Sequence, residues 1–165
     1  MNNEQGYDSR GIANIFVQKA REVDLPAHRL TVMSLVKYVY FAHGWTLGHT
    51  GKPLIYHSVR AWKYGPVIPE VYYAFRKHGF IILDQAKKGS WWNEKPYVAE
   101  PNERQMKIID GVFSEYSKLD AFEMSDITHH ATSPWNNYRG NHGIIPDEEI
   151  RIYYESVIAR MKNGE

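Results

Sequence analysis

Apolar and polar residues alternate along this chain with mostly helical spacing. Asp8 or Ser9 suits an N-cap, and Ile12, Ile15, Phe16 and Lys19 to Ala20 follow at i, i+3 and i+4. Glu22 to Pro26 ends that run, because proline disfavours a helical residue before it. Thr31 then caps a second helix, with Val32, Leu35, Val36, Val39, Tyr40, Ala42 and His43 on a wide apolar face. Apolar residues nearly all round predict a central core helix. Gly44 and Gly48 fall late in it, and Gly51 with Pro53 ends it. Leu54 to Tyr56 reads as a short extended piece, followed by a loose or helical turn to Lys63. Tyr64 to Pro69 reads as a rigid connector, and Pro69 suits the first turn of a third helix through Val71, Tyr72, Phe75 and Arg76, stopped at Gly79.

Phe80 to Leu83 predicts a short strand or buried extended segment. Trp91-Trp92 and Tyr97 to Ala99 predict a second extended piece, which together suggest a small hairpin. Pro101-Asn102 opens a fourth helix with Met106, Ile109, Val112, Phe113 and Tyr116 on one face. Phe122 to His130 is a fifth, stopped at Thr132 to Pro134; Trp135 to Gly143 reads as a loop. Pro146 and Asp147 open a last helix through Ile150, Tyr153, Tyr154, Val157, Ile158 and Met161. The pattern predicts a mainly α, single compact domain of about six helices with a small β-hairpin or extended element. Its expected core spans residues 10–160, with 1–8 and 163–165 flexible. No repeat or interdomain linker interrupts it.

Composition narrows the chemistry. The chain has 165 residues and no cysteine, which excludes disulfides, thiolate metal sites and a cysteine nucleophile. Lys plus Arg is 20 against 19 Asp plus Glu, a balance that argues against a strongly basic nucleic-acid binder. No apolar run reaches the roughly 20 residues of a membrane span. The polar start, Met1 to Arg10, carries no signal-peptide core, so a cytoplasmic protein is expected. Aromatics reach 14%, with 12 Tyr and 5 Trp, too many to bury readily.

Eight histidines raise the question of a metal, yet no pair has the HExxH arrangement, and the adjacent His129 and His130 diverge on a helix. Ser125, Asp126 and His129 share one short helix, where capping and surface bonding account for them without nucleophilic catalysis. Neither a G-x-S-x-G elbow nor a phosphate loop occurs. No catalytic residue, metal or cofactor is therefore expected.

Two binding readings remain. Arg60, Lys63, Arg76, Lys77, Lys87 and Lys88 interleave with Trp62, Tyr64, Trp91 and Trp92, a mixture that could hold a single strand by charge and stacking. The near-neutral net charge favours a solvated face over nucleic acid. Alternatively, an aromatic face around Trp62, Tyr64, Tyr72, Trp91 and Trp92 binds a protein, since Tyr, Trp and Arg dominate protein–protein hot spots.

Three segments in order then resemble a known family. They are Leu35 to Gly44; Pro53-Leu54 with Ala61-Trp62-Lys63-Tyr64-Gly65-Pro66-Val67-Ile68-Pro69-Glu70-Val71-Tyr72; and Thr128-His129-His130 with Pro134-Trp135. The resemblance is to the SocA/GepA-type family, also called the Panacea antitoxin domain. Val36, Tyr38 and Val39 depart conservatively from its usual Leu-rich helix. The resemblance implies a non-enzymatic, cytoplasmic antitoxin that binds and neutralises a toxin encoded beside it, in bacteria or phages. In the SocA branch it also implies a proteolytic adaptor that delivers its toxin to the ClpXP protease. A phage protein that blocks a host factor, and a nucleic-acid-binding or hydrolytic enzyme, are the alternatives. Under the resemblance, Trp62, Gly65, Pro66, Val67, Pro69, Tyr72, Pro134 and Trp135 are scaffold. Tyr64, Arg76, Trp91 and Trp92 are the candidate partner contacts.

Overall fold

Local side-chain chemistry starts each long helix. In the computed structural model, which describes residues 4–78, 82 and 84–164, the Asp8 carboxylate accepts the Arg10 N–H and opens α1 (Ser9–Glu22). Its stripe of Ile12, Ala13, Phe16, Val17 and Ala20 is buried. Thr31 and Ser34 exchange bonds in a capping box at the head of α2 (Val32–Thr50). That helix buries Leu35, Val36, Tyr38, Val39, Phe41 and Ala42 to 1% exposure or less, so no face of it meets water along its middle.

Around α2 pack α1, α3 (Pro69–Phe75), α4 (Glu103–Tyr116), α5 (Ala121–Thr128) and α7 (Asp147–Lys162). Close approach to α7 requires Gly44, where an added Cβ would enter the Tyr154 ring. His43, fully buried, joins three segments at this seam. Its Nδ1 accepts from the Leu54 N–H at 3.3 Å, which leaves Nε2 to donate to the Asp147 carboxylate at 2.9 Å. The histidine is thus a structural joint between α2, the Leu54 segment and the first turn of α7.

Among the described residues, two small antiparallel sheets flank the helices. β1 (Val59–Trp62) sits between β2 (Gly65–Val67) and β5 (Ile144–Ile145), with Trp62 opposite Gly65 and Val59 opposite Ile145. Val59–Trp62 is therefore a strand, and only Lys63 of the expected loose or helical turn lies in a turn. Its alternation is real but only four residues long, with Val59 and Ala61 inward and Arg60 outward. Trp135 to Gly143 is likewise not all loop: Pro134–Tyr138 forms the short helix α6. Among the described residues there are seven α-helices, one more than the apolar pattern predicts.

The second sheet is the hairpin β3 (Lys87–Lys88) and β4 (Lys95–Pro96), with Trp91 and Trp92 in its turn and not in a strand. Buried Asn14 ties it to α1: its amide donates to the Ala86 and Tyr97 carbonyls, and its oxygen accepts the Ala86 N–H at 2.7 Å. Of the expected extended segment at 80–83, Ile82 is buried and donates its N–H to the Leu30 carbonyl, while Gly79, Phe80, Ile81 and Leu83 lie outside the described residues. Among the described residues no helix is long and apolar enough to cross a membrane.

Candidate functional site

The β1–β2 hairpin turns through Lys63 and Tyr64, and Gly65 closes it at φ +109°, a conformation that excludes a side chain. A Cβ there would lie 2.7 Å from Thr128 Oγ1 and closer still to Lys37 Nζ. Lys37 rises from the middle of α2 and is fully buried. Its Nζ donates to the Tyr64 carbonyl at 2.8 Å and to the Pro66 carbonyl at 3.2 Å. No carboxylate pairs with it among the described residues. Burial pulls its pKa down to about 7. An amine with two hydrogens can satisfy both carbonyls, so the hairpin is held with or without the charge.

From the opposite side, Trp135 donates its indole N–H to the Trp62 carbonyl at 2.7 Å. His129 stacks on Trp135 with centroids 4.0 Å apart and an interplanar angle of 14°. Burial, and then the nearby Lys37 charge, hold the His129 pKa below the ordinary imidazole value. Trp62 packs edge-on against Tyr72 at 5.1 Å. Pro69 occupies the first turn of α3, and Pro134 that of α6.

The structure therefore brings the scaffold candidates together. Gly65, Pro66, Val67, Pro134 and Trp135 are buried, and Trp62, Pro69 and Tyr72 are half-buried at the surface edge. The contact candidates divide. Tyr64, 60% exposed, and Arg76 line one groove of about 920 Å³. The groove runs between the N-terminal turn of α2 (Thr31, Val32, Met33), the hairpin (Trp62, Lys63, Tyr64, Val67), α3 (Tyr72, Arg76) and the start of α5 (Ala121, Phe122), with His142 at its end. Trp91 and Trp92, 84% and 69% exposed, pack edge-on to each other at the β3–β4 turn and line no part of it.

Sequence reasoning missed Lys37 as the anchor and Phe122 as a groove residue. Lys37 had a signal, being the single cation in the apolar run Leu35 to Ala42. Phe122, 83% exposed, had none, because a phenylalanine in a short helix reads as core. Among the described residues no group of His, Asp and Glu is placed to hold a metal ion. What the site offers is apolar area, aromatic edges and two cations, which is the chemistry of binding.

Residues 35–136 match the family described as Antitoxin SocA-like, Panacea domain. The chain is also 33% identical over 135 residues to Antitoxin SocA of Caulobacter vibrioides (strain NA1000 / CB15N), which covers 80% of this chain and 70% of that protein. No solved structure gives a significant match. The family match contains Lys37, the β1–β2 hairpin, His129 and Trp135, that is, the hairpin and the side chains that brace it.

Proposed function

The chain belongs to the SocA-like, Panacea-domain antitoxin family, and we propose on that premise that it neutralises a cognate toxin by binding it directly. The observation that carries this reading is the exposed aromatic groove built on the braced hairpin. Tyr64, Phe122 and Arg76 stand at its surface, and Trp62 and Tyr72 form its half-buried wall. Such residues cluster at energetic centres of protein interfaces, and a preformed surface loses little entropy on docking. The exposed Trp91–Trp92 pair is a second surface of the same residue types.

Neutralisation is tested by co-expression. The reading frame adjacent to this gene is induced in bacteria alone and together with this protein. Growth arrest relieved by this chain, with a stoichiometric complex on purification, supports the proposal. A toxic neighbour that is neither relieved nor bound refutes it.

A further inference from the structure

The groove beside the hairpin has a definite electrostatic character. Among the described residues its lining includes Lys63 and Arg76 but no carboxylate. Among the described residues neither cation forms an ion pair with an acid; Lys63 lies over the Tyr64 ring at 5.2 Å and Arg76 over the Tyr73 ring at 4.7 Å. Cations beside aromatic walls, with no internal acid to satisfy them, complement an acidic partner that also carries apolar side chains.

The adjoining strand edge limits how that partner docks. β2 is at the edge of its sheet, its three residues are buried, and Pro66 stands in its middle opposite Ala61. Proline has no N–H to offer an added strand. Its carbonyl is already taken by Lys37. The edge is thus closed to strand addition, and the groove must be filled by side chains, as an amphipathic helix fills one.

We infer that this groove receives an acidic amphipathic helix of the toxin, with apolar residues seated between Tyr64, Tyr72 and Phe122 and carboxylates facing Lys63 and Arg76. The inference rests on the antitoxin reading for the source of the helix, not for its chemistry.

The probe is a fluorescein-labelled helical peptide of roughly five turns, with Leu and Phe at i, i+3, i+4 and i+7 and Glu elsewhere. A counterpart replaces every Glu with Lys. Both are titrated by anisotropy against the full chain. The Glu peptide should bind at least about ten-fold more tightly than the Lys peptide, and should weaken as salt rises. The double variant Tyr64→Ala with Phe122→Ala should weaken it by about ten-fold or more. Lys63→Glu with Arg76→Glu should reverse the preference towards the Lys peptide. That reversal cannot arise from unfolding.

Equal binding of both peptides, no binding of the Glu peptide, or indifference to the groove variants overturns the inference. So does loss of binding in Trp91→Ala with Trp92→Ala while the groove variants bind normally. The same variants are then carried into the toxin co-expression. If toxin is neutralised by every groove variant, the groove inference fails and the antitoxin reading stands. If the Glu peptide binds in the groove but no toxin is neutralised, the antitoxin reading fails and the groove stands.

Discussion

Lys37 makes an unusual prediction about pH. Its amine has an ordinary value of 10.5 when solvated and about 7 when buried in the fold. The folded state therefore binds this proton more weakly than the unfolded state does. Between those two values the unfolded chain carries more protons, so stability rises with pH. The full shift of about three and a half units corresponds to about 5 kcal/mol at about 1.4 kcal/mol per unit. Between about pH 6 and about pH 9 roughly half of that is realised, about 2–3 kcal/mol. The contribution is complete only above the unfolded value and is lost as pH falls through the folded one. The perturbation is Lys37→Met, which keeps the length of the side chain and removes the titration. Urea denaturation of both proteins from about pH 6 to about pH 9 gives the difference in unfolding free energy at each pH. Groups that do not feel the Lys37 charge affect both proteins alike and cancel; His129, which does feel it, is followed separately in each protein by NMR titration. The gap between the curves should shift in favour of the natural protein by about 2–3 kcal/mol across that range. A constant gap would refute the reasoning, because it would mean that Lys37 keeps an ordinary titration in the folded state.

Three further substitutions probe the frame. Gly65→Ala forces a side chain into a φ of +109° and against Lys37, and should lower stability by at least about 1–3 kcal/mol in a thermal melt; an unchanged melting temperature would contradict the turn geometry. His43→Ala leaves the buried Leu54 N–H without its acceptor and releases Asp147, costing about 1–3 kcal/mol in denaturant titration. If the loss is within about 0.5 kcal/mol, the joint is not structural. Trp91→Ala with Trp92→Ala should leave the melting curve within about 0.5 kcal/mol of the parent, since both rings are largely exposed; a large fall would show that they support the core.

The helix starts were legible because their physics is local. Asp8, Thr31 and Asn102 accept backbone N–H groups two or three residues ahead, and Pro69 sits where proline's fixed φ belongs. The continuous apolar run of α2 told correctly of a helix surrounded on all sides. β1 was not legible: its pairing with β5 depends on a partner strand from the other end of the chain, and its short alternation is masked by the aromatic at Trp62. The site was half legible. The motif from Trp62 to Tyr72 marked the start of α3, but its Tyr64–Pro69 part, read as a rigid connector, contains β2; Tyr64 and Arg76 do share a groove. Yet the groove's far wall comes from Phe122, and the anchor Lys37 meets carbonyls 27 and 29 residues away. Neither relation is written in local spacing. Trp91 and Trp92 belong to a separate hairpin because Asn14, a polar residue in an apolar stripe, fastens that hairpin to α1.

The three-stranded sheet also sets an order of events during synthesis. β1 and β2 are joined by a two-residue turn and can pair as soon as both leave the ribosome, whereas β5 emerges near the end of the chain. At roughly 5–20 residues per second, β1 spends several seconds with one edge unpaired. An open edge invites strands from other nascent chains. Arg60, in the middle of β1 and pointing to solvent, puts a charge on that edge while it waits. A chain cut short before Ile144 would keep that edge open, with the Arg60 charge as its remaining guard against pairing with other strands.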